Sequence, residues 1–224
     1  FQPILEKAIK RLGYLETAGI HTFFNGPESF TADDRYLLGE APELKNFFVA
    51  AGFNSVGIQS AGGAGMVLAD WIDKGNSQMD LWDVDIRRVQ PFQNNRNYLK
   101  SRVSETLGLL YADHFPYRQV ETARDIRLSP LHNQLKKLGA CFGETSGWER
   151  ANWFLTETEI KKGIVPKYNY SWKRQNWFEN SAQEHRAIRE KVGLIDMSSF
   201  GKIKVVGKDA ENVLQMIAAN DVAI

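Results

Sequence analysis

The sequence predicts a mixed α/β (α+β) chain built in two parts, and three observations carry that expectation. Apolar residues recur at helical spacing in several separate stretches. Short β-rich runs lie between them, one of which leads through crowded glycines into a helix. A new helix start at Ser129-Pro130 follows a stretch with no clear period.

The elements follow in order. Ile4, Leu5, Ala8, Ile9 and Leu12 mark an amphipathic first helix, with Pro3 in its first turn and Gly13 at its end. The β-rich run 19–24 is closed by the breaker Asn25-Gly26-Pro27. Residues 31–35 read as a turn before a short strand at Tyr36–Leu38, and Phe47, Phe48 and Val49 as a buried strand. Gly52, Gly57, Gly62, Gly63 and Gly65 then precede a helix with Val67, Leu68, Trp71 and Ile72 on one face, stopped by Gly75. The unit is therefore strand, glycine-rich loop, helix. Further on, 81–85 alternates like a strand, and Tyr98, Arg102, Glu105 and Leu109 mark a helix. After Ser129 and Pro130 comes a stripe of Leu131, Leu135 and Leu138 ending at Gly139. A helix is expected at Ala182–Val192, strands at Leu194–Met197 and Lys202–Val206, and a last helix capped by Asp209.

Composition narrows the function. In 224 residues, 28 Lys and Arg stand against 27 Asp and Glu, a balance that argues against a nucleic-acid partner or a polybasic membrane anchor. No apolar run approaches the ~18 residues of a spanning helix. Cys141 is the only cysteine, so no internal disulfide forms and a reducing compartment is expected. His21, His114, His132 and His185 show no metal-ligand spacing with it, so no metal site is expected. Cys141 sits among apolar neighbours with no adjoining base, as a buried small residue does.

The run Gly57-Ile58-Gln59-Ser60-Ala61-Gly62-Gly63 has two readings. It is a tight strand-to-helix turn in which small residues permit close packing, or a place where backbone N–H groups at a helix start meet an anion, such as a phosphate or the anionic edge of a ring. Neither G-x-G-x-x-G nor a P-loop is present there.

The order and spacing of Asn25-Gly26-Pro27-Glu28-Ser29-Phe30, Leu38-Gly39-Glu40-Ala41-Pro42, Gly52-Phe53-Asn54-Ser55-Val56-Gly57-Ile58 and Ala61-Gly62-Gly63-Ala64-Gly65 resemble the FAD-dependent dimethylglycine and sarcosine dehydrogenases. Ser129-Pro130-Leu131-His132, Gly147-Trp148-Glu149-Arg150 and Asp196-Met197-Ser198-Ser199-Phe200 are similar to the folate-binding aminomethyltransferase part of that family. The resemblance implies a division into 1–75, the C-terminal part of an FAD-dependent oxidoreductase domain; 76–128, a connector; and 129–224, the start of a folate-binding domain. It implies the cofactors FAD and tetrahydrofolate and a small N-methylated amino acid as substrate, and leaves the electron acceptor open. It places residues 57–63 against the flavin ring. The dinucleotide fingerprint and a flavin-tethering histidine are expected upstream of Phe1, and a catalytic acid downstream of Ile224. The chain thus reads as an internal fragment, inactive by itself, from a bacterial cytoplasm or a mitochondrial matrix. The regulatory subunit of pyruvate dehydrogenase phosphatase shares the same resemblance, so a non-catalytic regulator is the alternative.

His21, on the substrate side by that resemblance, is either a satisfied sheet histidine or a partner for a carboxylate or amine. Arg35 is either half of a surface pair with Asp33 or a clamp for a substrate carboxylate. The aromatic run Tyr168, Tyr170, Trp172, Trp177 and Phe178 is core packing or a platform for a pterin ring. Ser199-Phe200 stands where the family often has His-Met, which puts a direct folate contact there in question.

Overall fold

The computed structural model describes residues 1–223, which fall into two compact units, one of residues 1–92 and a second that begins at residue 93. The stretch 76–128 is thereby shared between them.

Unit 1 opens with α1 (Gln2–Arg11) and is built around an antiparallel hairpin of β1 (Leu37–Glu40) and β2 (Phe48–Ala51), with Leu38 opposite Ala50 and Gly39 opposite Val49. The long helix α2 (Gly57–Lys74) lies on this hairpin. Ala64, Val67 and Trp71 recur at helical spacing and are its buried side, where Ala64 and Val67 cluster with Leu38, and Tyr36, Phe53, Leu68, Leu81 and Val84 close round them. Phe48 meets Trp71 edge to face, with ring centroids 6.1 Å apart.

Two expectations in this unit are corrected. Residues 19–24 form no strand and are exposed. Residues 81–85 turn rather than extend, and their strand-like pairing with the hairpin is limited to a bridge between Leu38 and Asp85. A period of two in so short a run does not make a strand unless a neighbour offers an edge.

The glycine-rich segment is also not a loop. α2 begins at Gly57, so Gly62, Gly63 and Gly65 lie inside the helix. The chain reverses one step earlier, where Asn54 (φ 49°) and Ser55 (φ 65°) take the left-handed conformation. The buried Asn54 amide fixes that turn: its Nδ2 donates to the Gly52 carbonyl at 2.7 Å, and its Oδ1 accepts from the Thr31 N–H at 2.8 Å. A short amide hydrogen-bonded to nearby backbone is what makes asparagine tolerable there.

Unit 2 contains α3 (Arg96–Tyr111), α4 (His132–Lys137), the hairpin β3 (Ala140–Thr145) and β4 (Trp148–Phe154), α5 (Glu157–Lys161), α6 (Phe178–Glu190) and α7 (Ala210–Ile217). The hairpin went unanticipated in the sequence. Its turn, Ser146-Gly147, has φ of 51° and 80°, which suits a two-residue reversal. A Ser-Gly pair between two apolar-alternating runs was the available signal.

Cys141, Trp153 and Leu155 form the core, with Tyr168 and Trp177 packed on it. Tyr168 and Tyr170 stack at 5.6 Å, and Trp177 meets both edge to face. These three members of the aromatic run thus pack on one another, and Tyr168 and Trp177 on the core. Among the ion pairs of this unit are Arg102 to Glu144 at 2.9 Å and Arg124 to Glu149 at 2.5 Å, whose carboxylates are buried.

The strands expected at 194–197 and 202–206 are absent. Leu194 and Ile203 are almost fully exposed, because no edge among the described residues pairs with these segments. Ser129 is likewise not the residue immediately before α4; that place is taken by Leu131. Asp209 does precede α7, without a side-chain hydrogen bond to it.

Candidate functional site

The candidate sites are described unit by unit. In unit 1, Gly57, Ile58, Gln59, Ser60, Ala61, Gly62 and Gly63 occupy the first two turns of α2. No side chain caps this helix start, so its first N–H groups keep the partial positive charge of a helix N-terminus. Ile58, Ala61, Gly62, Gly63 and Met66 are exposed, whereas Ala64, Val67 and Trp71 are buried. A Cβ built on Gly62 or Gly63 meets nothing within 4 Å. Within this chain these glycines are thus not demanded by packing against the hairpin, and an apolar, nearly smooth face stands open.

His21 and Arg35 do not join that face in a common pocket. His21 is exposed, with Nδ1 3.0 Å from the Thr22 hydroxyl. Arg35 pairs with Asp83 at 2.7 Å, both side chains being more than half exposed. Asp33 instead receives the bidentate fork of Arg88, at 2.7 and 3.0 Å, and Arg88 also donates to the Arg35 carbonyl. Arg35 and Asp33 thus hold other partners than the sequence suggested.

In unit 2 the segment 196–200 is an organised turn. Asp196 accepts from the Ser129 hydroxyl at 2.5 Å and from the Ser198 N–H at 2.9 Å, while Lys202 Nζ donates to the carbonyls of Met197 and Phe200. Hydrogen bonds from Ser129 and Ser198 hold the Asp196 carboxyl below the ordinary carboxylate range. Ser129 also accepts from the Leu131 N–H at 3.2 Å. It therefore ties the entry of α4 to a turn 67 residues later in sequence. Arg150 lies over the Phe200 ring at 4.8 Å, so Phe200 serves as a stacking surface for a cation.

Cys141 is buried in the β3–β4 core, and burial raises its thiol to about 11 against opposing contacts from Tyr168, Arg124 and Trp153. The thiolate is the reactive form, so the folded protein is expected to alkylate at Cys141 on the order of 100-fold more slowly at pH 8 than an unshifted thiol. Maleimide labelling with and without denaturant measures this; equal rates in the two conditions would contradict it.

Comparison with known proteins places these units. Residues 74–129 match the family described as the FAD dependent oxidoreductase central domain, and residues 131–224 match the GCVT N-terminal domain. The first of these matches covers the whole of the stretch 76–128 that the sequence presented as a connector. The 4-methylaminobutanoate oxidase (formaldehyde-forming) of Paenarthrobacter nicotinovorans is 50% identical over 224 residues, covering 100% of this chain and 27% of the relative. The mitochondrial pyruvate dehydrogenase phosphatase regulatory subunit of Mus musculus is 34% identical over 226 residues, covering 100% of this chain and 26% of the relative. The mitochondrial sarcosine dehydrogenase of Homo sapiens is 32% identical over 245 residues, again covering 100% of this chain and 26% of the relative. The chain thus spans about a quarter of the length of the curated relatives it matches. Among the described residues no helix is long and apolar enough to cross a membrane. These matches bear out the resemblance of the chain to the FAD-dependent dimethylglycine and sarcosine dehydrogenases, with an FAD dependent oxidoreductase central domain match at 74–129 followed by a GCVT N-terminal domain match at 131–224.

Proposed function

We propose that the whole protein oxidises an N-methyl group of a small amino acid with FAD and passes the one-carbon unit to tetrahydrofolate. In this reading residues 1–75 supply the ring-facing end of the flavin domain, 76–128 connect it onward, and 129–224 begin the folate-binding part. The observation that carries it is the open, uncapped start of α2, where an apolar face meets free helix N–H groups. A flat ring can approach Gly62 and Gly63 closely, and the positive helix end favours negative charge on that ring. The residues present fit the flavin in this respect. When bound, the flavin supplies the electron sink for the oxidation. This chain's own part is to seat the ring and to orient charge toward it. The relatives named for oxidation of methylated amines support the substrate class.

The test separates seating from helix stability. Gly63 lies inside a helix with open space around it, so Gly63→Ala is expected to stabilise α2 by about 0.5–1 kcal/mol. In the full-length protein Gly63→Val is expected to lower flavin content several-fold, because its branched side chain occupies the face the ring needs. Visible absorbance of purified protein and thermal unfolding read the two effects. Full flavin content and turnover in both variants would remove the cofactor role from this helix.

A second reading has its own support. The relative that is 34% identical over the full chain is named as a regulatory subunit, and a fold retained without its chemistry serves binding alone. Full-length protein that purifies without a flavin spectrum, and takes up no added FAD, would favour the regulator.

A further inference from the structure

Unit 2 carries a solvent-open cleft of about 350 Å³ between β4, α6 and the segment 193–199. That volume is at the lower end of pockets that hold small molecules. Leu135, Phe154, Ala187, Ile188 and Leu194 give it apolar walls. Four ionisable side chains also line it: Glu149, Arg150, Glu184 and Asp196.

Two of these are committed. Glu149 is taken by Arg124 and the Asp125 N–H, and Asp196 by Ser129 and Ser198. The other two keep bonding capacity in reserve. Glu184 accepts the Phe154 N–H through Oε1 at 2.7 Å, and its Oε2 has no hydrogen-bond partner among the described residues. Burial lifts this carboxyl above its ordinary range despite that N–H, so a cation beside it would be favoured. Arg150 makes no ion pair among the described residues, and its contact is the face of Phe200. A guanidinium held against a ring keeps its N–H edges free for a carboxylate.

We propose that this cleft binds a small zwitterionic amino acid, its carboxylate on Arg150 and its amine on Glu184, as a site apart from the helix start of unit 1. Charge complementarity selects that class. Three carboxylates and one guanidinium disfavour a phosphate or a simple anion, whereas a ligand carrying both charges meets both uncommitted groups. The volume matches a ligand of that size better than a nucleotide. This inference does not rest on the flavin reading, since every residue it uses lies in unit 2.

Calorimetric titration of the full-length protein tests it with glycine, 3-aminopropanoate and 4-aminobutanoate, which differ in the separation of the two charges. Butanoate and butylamine, carrying one charge each, are the controls. At least one amino acid is expected to bind at least tenfold more tightly than either control. Arg150→Gln and Glu184→Gln should each weaken it by tenfold or more. Ala187→Met fills the cleft while leaving both charges, and should abolish binding with flavin absorbance unchanged. If Arg150→Gln fails to fold, Ala187→Met decides by itself. Absence of binding by all three amino acids, equal binding by a one-charge control, or unaltered affinity in Ala187→Met would each overturn the proposal.

Discussion

Replacing Arg124 by Met is expected to destabilise unit 2 by about 3–5 kcal/mol, the cost of leaving a buried charge without its partner. The Glu149 side chain is 1% exposed and accepts from Arg124 Nε at 2.8 Å, Arg124 Nη2 at 2.5 Å and the Asp125 N–H at 2.8 Å. Arg124 is anchored in turn on the carbonyls of Val120 and Phe142. With methionine at 124 the carboxylate would keep its burial and lose two of its three donors. Urea unfolding followed by tryptophan fluorescence reads the loss. The double variant Arg124→Met with Glu149→Leu should recover most of it, since an apolar pair of similar volume is often neutral.

The same pair fixes a pH dependence. Burial alone would raise Glu149, but the hydrogen bonds from Arg124 and Asp125, the charge of Arg124 and that of His132 outweigh it, and the carboxyl is held below its ordinary range. A lowered folded-state value means that the unfolded chain binds the proton more readily. The pair's contribution is therefore complete above the unfolded value of about 4.3 and is lost as pH falls through the folded one. In Arg124→Met the isolated carboxyl is pushed up instead, so that variant gains on the wild type in acid. The stability gap between them should narrow from pH 7 to pH 4. A gap constant over that range would show that Glu149 does not depend on Arg124 for its charge.

Gly39→Ala should cost about 2–5 kcal/mol in unit 1, from two sources that add. Gly39 lies in β1 with φ of 117°, a conformation that side-chain-bearing residues rarely adopt. A Cβ there would stand 2.7 Å from Cζ3 of Trp71, a buried ring that has little room to retreat. Gly75 provides the control. It ends α2 with φ of 77°, but a Cβ on it meets nothing within 4 Å, so Gly75→Ala should carry only the backbone cost, about 1 kcal/mol. Thermal unfolding of the two variants compares them directly. Equal losses would mean that Trp71 yields and that its contact with Gly39 does not hold the helix on the hairpin.

Local periodicity was legible in the sequence. The first helix, the body of α2 and α7 were marked by apolar residues three and four apart, and α3 by the same spacing of Tyr98, Arg102, Glu105 and Leu109, because a helix satisfies its own backbone and shows in local spacing. The family was legible too, through glycine and asparagine runs such as Gly52–Ile58. These turn out to encode a particular reversal at Asn54 and Ser55 rather than a general looseness.

Partnership was decided only in three dimensions. Leu194–Met197 and Lys202–Val206 carry a strand's alternation, yet a strand exists only where another edge supplies its hydrogen bonds. Asp33 sits two residues from Arg35, yet it pairs with Arg88, 55 residues away. Ser129 has the chemistry of a helix cap, yet it divides its hydroxyl between Leu131 and Asp196. The glycines of α2 illustrate both levels. Their number and order mark the family, whereas their place inside a helix follows from Ala64, Val67 and Trp71 finding a hairpin to cover. Sequence thus determined which segments carry an apolar face and which turns are sharp. Tertiary structure decided which face meets which, because hydrogen bonds and ion pairs close across distances that no local pattern encodes.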